Sequence, residues 1–345
     1  MTARTTHARL QIGVPAHLME HIRAELAAQD LHAEESDAGL TWDSGIGIVR
    51  LVKAKGAVDI RIDSDSLSNL HMLREGVRDR IERHAAEAAR SLEWRGSPVN
   101  GPYPPNFRVT RVVSSRRIAP RFQRLELEAK DLGDFARSGL HVRLVIPPEG
   151  REPVWPRLNE KGRTIWPTGA DAPHMPAYTI RDINPDAGRV WIDILLHGRG
   201  LTCKWAQSVA PDALIGLTGP GGGWYPLADR VLLAGDETAL PAMLRTLENA
   251  PDDMRGDVLI EVESDADRMP LRHPPGLCVR WLIRQGGDPD LNTALESMAL
   301  PTGEGALVWF AAEKQQAARA REYLRNAPGL TRKHIRVAGY WRDER

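Results

Sequence analysis

Residues 234–242 read AGDETALPA. An apolar run, RVLL (230–233), precedes them, and MLRTLEN (243–249) follows. The pattern is strand, tight turn, helix. Where such a turn cradles a phosphate it is glycine-rich, because N–H groups at the helix start must come close to the oxygens. Here Gly235 is followed by Asp236, Glu237 and Thr238. Two carboxylates stand where an anion would sit. Either the turn bonds a neutral part of a ligand, or it caps its own helix, whose dipole favours negative charge there. Both readings stay open at this level.

Outward from this turn the chain divides. Over 229–345 the strand-like runs RVLLAG, GDVLIEV, LCVRWLIR, ALVWFAAE and HIRVAGYW alternate with the helical runs ALPAMLRTLENA, DLNTALESM and KQQAARAREYLRN. That alternation predicts an α/β domain with a parallel sheet. Residues 106–228 carry short strands with regular turns, as in a small antiparallel β-barrel. Within them, 149–175 has no clear pattern and holds Trp155 and Trp166. A loop of that length usually covers a ligand. Residues 94–105, with GSPVNGPYPP at 96–105, form a semi-rigid linker. Residues 8–93 predict a small α+β domain. One helix carries Leu18, Ile22 and Leu26, a second carries Leu70, Leu73, Val77 and Ile81, and Ser66 or Ser68 caps the second. His17, His21, His71 and His84 fall at helical positions and read as surface or core histidines. The expected fold is multi-domain: α+β, then antiparallel barrel, then α/β.

The chain has 345 residues, with Lys+Arg and Asp+Glu both 46. Net charge therefore gives no case for a nucleic-acid partner or an acidic membrane. Two cysteines, Cys203 and Cys278, imply no disulfide framework and cannot build a four-cysteine metal or iron–sulfur site. No apolar leader or 18-residue apolar run is present, so a cytoplasmic protein without membrane insertion is expected. A monomer is expected as well, with the oligomeric state left open by the sequence.

A barrel followed by a nucleotide-type α/β half is the layout of the ferredoxin-reductase class of flavoenzymes. Two motifs suit it. In AYTIR (177–181), Tyr178 can stack beside a flavin ring and Thr179 can hydrogen-bond to it. Ile180 shares the strand, and Arg181 can hold a pyrophosphate as a fork. In HGRGLTCKWA (197–206), Gly198 and Gly200 lead into a helix whose free N–H groups can take a phosphate. GPGGG (219–223) precedes no helix and is set aside as a dinucleotide fingerprint.

With GDETALPA, HVRLVIPP (141–148), VRWLIR (279–284) and VAGYWR (337–342), these motifs resemble the siderophore-interacting protein family of FAD-dependent ferric-siderophore reductases, over about residues 106–342. Residues 8–93 resemble a small domain of unknown role often fused to them. The resemblance implies FAD in the barrel and NADPH or NADH facing the α/β domain, with no catalytic residue beyond the flavin. Siderophore-bound Fe(III) would be reduced to Fe(II), releasing iron in the cytosol. It assigns Tyr178, Thr179, Ile180 and Arg181 to the flavin, and His197, Gly198, Gly200, Leu201 and Thr202 to its phosphate side. Asp236, Glu237 and Thr238 line the α/β side of the cleft. An anionic catecholate or hydroxamate chelate would meet Arg143, Lys204 and Arg342, the family commonly having lysine and arginine at the first two. Two departures stand out: Pro176 replaces an arginine two residues before the tyrosine, and Ala312 replaces a glycine in WFAAE. Glu261, Glu263 and Asp265 could favour a free ribose 2′-hydroxyl. Reduced ferredoxin remains a possible donor. Two rivals are a general NAD(P)H:flavin or ferredoxin-type reductase with another acceptor, and a non-catalytic flavin- or siderophore-binding protein.

Overall fold

The structure is a computed structural model that describes residues 4–11, 15–28, 31–97, 101–137, 139–198, 200–221 and 228–343. Part of the GPGGG run, at 222–223, lies outside them, as do linker residues 98–100.

In chain order the first elements are β1 (Arg4–Gln11), α1 (Pro15–Ala28), β2 (Ala33–Ser36), β3 (Gly39–Asp43), β4 (Ile48–Ala54), β5 (Ala57–Ser64), α2 (Leu67–His84), α3 (Ala86–Arg90) and β6 (Arg95–Gly96). Next come β7 (Phe107–Ala119), β8 (Phe122–Glu128), α4 (Gly133–Arg137), β9 (His141–Val145), β10 (Arg157–Leu158), β11 (Thr164–Ile165), β12 (Ala177–Thr179), β13 (Asp182–Asn184), β14 (Arg189–Leu195), α5 (Leu201–Ser208) and β15 (Leu214–Gly221). The last are β16 (Arg230–Gly235), α6 (Leu240–Glu248), β17 (Arg255–Val262), β18 (Leu277–Ile283), α7 (Leu291–Glu296), β19 (Ala306–Glu313), α8 (Lys314–Asn326) and β20 (Ile335–Trp341). Strands β9 and β15 of the barrel-type region pair antiparallel. By compactness the chain divides into two units. One is Met1–Thr110 with Ala129–Ala177 and Leu214–Trp224; the other is Arg111–Glu128 with Tyr178–Ala213 and Tyr225–Arg345.

In the first unit an antiparallel sheet runs β2–β3–β4–β5–β1–β6. Alternate residues face the helices: Ala8 and Leu10, Val49 and Leu51, and Val58, Ile60 and Ile62 pack with Leu18, Ile22 and Leu26 of α1 and Leu70, Leu73, Val77 and Ile81 of α2. Each such large aliphatic contributes about 1.5–3 kcal/mol on burial. Ser66 caps α2, accepting from the Asn69 N–H at 3.1 Å. Ser68 donates instead to Asp134 (2.6 Å) and the Pro105 carbonyl (2.9 Å).

The 149–175 stretch is not structureless. It forms the β10–β11 hairpin, and the hairpin lies on α2 and α3. His71 Nε2 meets Thr164 Oγ1 at 2.8 Å, and the Thr164 N–H donates to Glu75 (3.2 Å). Arg163 donates to Glu82 (3.1 Å), and Lys161 Nζ to the Arg90 carbonyl (2.9 Å). Trp155 and Trp166 pack on Phe107 with ring centroids 5.8 and 6.3 Å away. Docking on the N-terminal helices thus supplies a reason for the length of the stretch other than covering a ligand. Burial drives the His71 imidazole down to about 4, so it is neutral there at ordinary pH.

In the second unit β7, β8, β14 and β13 pair antiparallel. A parallel sheet runs β18–β17–β16–β19–β20. Its central strand is apolar on both faces, as helices on both sides require. Val231 and Leu233 pack with α6, whereas Leu232 and Ala234 pack with α7 and α8. Where β16 turns into α6, a Cβ on Gly235 would fall 2.7 Å from Ala239 Cβ and 2.8 Å from Met243 Sδ. Close packing therefore demands the glycine, independently of any phosphate.

Candidate functional site

The turn after β16 lies at the C-terminal edge of the parallel sheet, the side on which such sheets take ligands. Most of its backbone donors are already used. Asp236 N–H bonds the Ala311 carbonyl, Ala239 and Leu240 N–H bond the Asp236 carbonyl, and the Thr238 N–H bonds Asp236 Oδ1 at 2.9 Å. Asp236 is 2% exposed and also accepts from Thr238 Oγ1 (2.5 Å) and from Trp341 Nε1 (2.7 Å). Burial pushes its carboxyl up, and the bonds from Thr238 and Trp341 oppose that.

Glu237 faces two arginines. Arg121 donates to it at 2.7 Å, and Arg284 makes a very short bond to the same oxygen. Arg284 also donates to Glu261 (2.7 Å) and Glu263 (3.1 Å). Burial alone would lower the Arg284 pKa, but the bonds to Glu237 and Glu261 raise it. Glu261 is held up by burial, whereas the Arg284 bond holds Glu263 below the usual range. Three carboxylates, Glu237, Glu261 and Glu263, thus share two guanidiniums at this edge. Glu261 and Glu263, candidates for a ribose hydroxyl, face Arg284, and Asp265 pairs with Arg268 at 2.9 Å. The opening question has a local answer: both carboxylates of the turn bond the chain itself, and the turn offers few donors to a phosphate. The Ala312 methyl is fully buried in the cluster on the α7–α8 side of the sheet.

The flavin-motif strand brings some candidates together. Tyr178 is half-buried, its hydroxyl is bonded with Thr202, and burial pushes its phenol up to about 12, so it stays neutral. Thr179 and Ile180 are buried, and the Ile180 carbonyl accepts from Arg245 of α6 at 2.9 Å. The fork of Arg181 is already engaged: both Nη atoms donate to Glu248, at 2.7 and 2.6 Å. Its Nε is buried without a hydrogen-bond acceptor, 3.8 Å from Asp193. A cavity of about 350 Å³ lies here, lined by Arg124, Arg181, Asp182, Trp191, Glu248 and Arg272. Pro176, in the first unit, gives its carbonyl to the Leu144 N–H at 2.9 Å.

Helix α5 starts as expected. Gly198 and Gly200 have φ of 77° and 85°, and the Gly200 N-cap supplies no side-chain bond to the first turn. A Cβ at Gly198 would meet nothing within 4 Å, so the approach is open. His197 and Leu201 are exposed, and Thr202 is buried. An uncapped helix start, a neutral phenol bonded to its first turn and a buried unsatisfied Arg181 Nε suit a planar ring carrying a diphosphate. The residues fit FAD.

Of the rim candidates, Lys204 and Arg342 in the second unit are exposed and have no side-chain partner among the described residues. Arg143, in the first unit, is exposed and donates to the Met175 carbonyl at 3.0 Å. Arg121, Arg284 and Trp341 were not singled out from sequence, although VRWLIR and VAGYWR contain two of them. Their partners lie 116, 47 and 105 positions away, beyond any local pattern. Among the described residues no cluster of three metal-ligating side chains occurs, and no helix is long and apolar enough to cross a membrane.

Residues 111–224 match the siderophore-interacting FAD-binding domain, and residues 228–344 match the siderophore-interacting protein profile. Ferric vibriobactin reductase ViuB of Vibrio cholerae is 30% identical over 239 residues, which cover 67% of this chain and 87% of that one. The crystal structure of a siderophore utilization protein from T. fusca is 32% identical with a TM-score of 0.62, covering 71% of this chain and 95% of that one. SipS from Aeromonas hydrophila is 26% identical with a TM-score of 0.59, covering 70% and 93%.

Proposed function

The chain belongs to the siderophore-interacting protein family, and on that premise we propose that it is an FAD-dependent ferric-siderophore reductase of the cytosol. The observation that carries the reading is the uncapped start of α5 beside the Tyr178–Thr202 pair. Bound FAD would supply the conversion between two-electron donation by a nicotinamide and one-electron acceptance by iron.

The chain's own residues would do the rest. Tyr178 would face the flavin ring and Thr179 hydrogen-bond to it, with Ile180 fixing the strand. His197, Gly198, Gly200, Leu201 and Thr202 would shape the phosphate side. Arg181 would offer Nε to the diphosphate while Glu248 keeps its Nη atoms. We infer NADPH or NADH as donor. Asp236, Glu237 and Thr238 would wall the donor side, and the donor's phosphates would be held away from that turn. Arg143, Lys204 and Arg342 would attract the anionic ferric chelate. Catecholate and hydroxamate oxygens are hard anions that hold Fe(III) better than Fe(II), so one electron loosens the metal.

The test is a titration of the protein with FAD, followed by flavin absorbance and fluorescence. Tyr178→Ala should weaken binding by about tenfold, and Tyr178→Phe by less than threefold, because the ring rather than the hydroxyl meets the flavin. No FAD binding by the unaltered protein would sink the reading. A reductase with another acceptor would bind FAD equally well but show no preference for ferric siderophores over simple ferric salts.

A further inference from the structure

The last residues of β20 are an anomaly. Tyr340 and Trp341 are 39% and 41% exposed, and no other exposed large apolar residues among those described are adjacent in sequence. Single exposed apolar side chains need no explanation, but a fixed aromatic pair does. Both rings are held from behind. Buried Asp236 takes the Trp341 indole N–H at 2.7 Å. Trp309 packs edge-to-face on Tyr340, with centroids 6.3 Å apart. Beyond them, the Asp343 N–H bonds Glu313 at 3.3 Å, so the chain is pinned on both sides of Arg342. Arg342 is exposed and bonds nothing among the described residues. β20 is the edge strand of the sheet, and these residues lie at its C-terminal end, on the ligand side.

We propose that Trp341, oriented by Asp236 and flanked by Arg342, is a stacking platform for an anionic aromatic ring, and that it makes the protein select ferric catecholates over ferric hydroxamates. A catecholate offers a flat π-face to the indole and negative oxygens to the guanidinium. A tris-hydroxamate, with three singly charged ligands on a trivalent ion, offers neither the ring nor a net negative charge, so the contribution of the ring is read from variants of Trp341 and not from the parent's preference alone. The Trp341 ring loses little freedom on binding, because Asp236 already fixes its orientation. Asp236 acts here as a positioning residue, which gives the buried carboxylate of the turn a role besides capping. The proposal rests on the ferric-siderophore reading above.

The test uses the FAD-loaded chain and calorimetry with redox-inert gallium(III) tris-catecholate and gallium(III) tris-hydroxamate. Trp341→Ala should weaken catecholate binding roughly fivefold and leave hydroxamate binding within about twofold. Trp341→Phe, which keeps a ring but loses the Asp236 bond that orients it, should weaken catecholate binding less than Trp341→Ala does and leave hydroxamate binding within about twofold. If Trp341→Ala does not fold, Trp341→Leu keeps apolar volume without the ring and should behave as Ala was expected to. Equal weakening of both chelates, or no weakening of either, overturns the platform while leaving the reductase reading intact. Failure of the unaltered protein to bind either chelate overturns both.

Discussion

Arg284→Met removes the cation that Glu237, Glu261 and Glu263 share. The side chains of Glu237 and Glu261 are only 6% and 3% exposed, so the variant strands two carboxylates out of water. Breaking a fully buried pair costs about 3–5 kcal/mol. Two features reduce that here. Arg284 is itself 34% exposed, and partners remain: Arg121 on Glu237 and the Leu291 N–H on Glu261. About 2 kcal/mol is the resulting expectation, a melting point lower by roughly 4–8 °C for a unit of this size. The loss should depend on pH. Burial already raises the Glu261 carboxyl, and losing Arg284 raises it further. A carboxyl raised in the folded state penalises folding above its unfolded pKa, and the penalty is relieved as pH falls through the raised value. The variant should therefore lose less at pH 5 than at pH 8. Calorimetric melting of both proteins at the two pH values, without added ligand, measures this. A drop below about 1 °C at pH 8, or an equal drop at both pH values, would refute the network argument.

Gly200 has φ 85° and ψ 156°, a region that only glycine occupies readily. Gly200→Ala should cost on the order of 1–3 kcal/mol in strain at the start of α5 and weaken FAD binding about tenfold, read by flavin fluorescence. Thr164→Val removes the hydroxyl that meets His71 and leaves that buried ring nitrogen without a partner, costing about 1–3 kcal/mol. Limited proteolysis should then cut within 149–175 faster than in the parent; unchanged cleavage would argue against hairpin docking on α2.

The α/β half was legible because a parallel sheet covered on both faces needs unbroken apolar strands, and RVLLAG and ALVWFAAE are such strands. The start of α5 was legible for a local reason: the glycines of the short connection after β14 adjoin the helix. Other features depend on partners far along the chain. Ser66 and Ser68 were equal candidates as caps; the Asn69 N–H bonds Ser66, while Ser68 is drawn to Asp134 and Pro105, far along the chain. Arg181 reads as a free phosphate fork until Glu248, 67 residues on, takes both its Nη atoms. The β10–β11 hairpin has two-residue strands, too short to show any period. The carboxylates of GDETALPA read as an oddity because Arg121, Arg284 and Trp341 reach them from three other segments.

The most direct measurement is anaerobic visible spectroscopy of the FAD-loaded protein, first with NADPH or NADH and then with a ferric catecholate and a ferrous chelator. The account predicts that the flavin bands bleach with nicotinamide, return on adding the ferric chelate, and leave one trapped Fe(II) per electron. Flavin that bleaches but does not return with the chelate, while other acceptors restore it, would contradict the claim that ferric siderophores are the substrate.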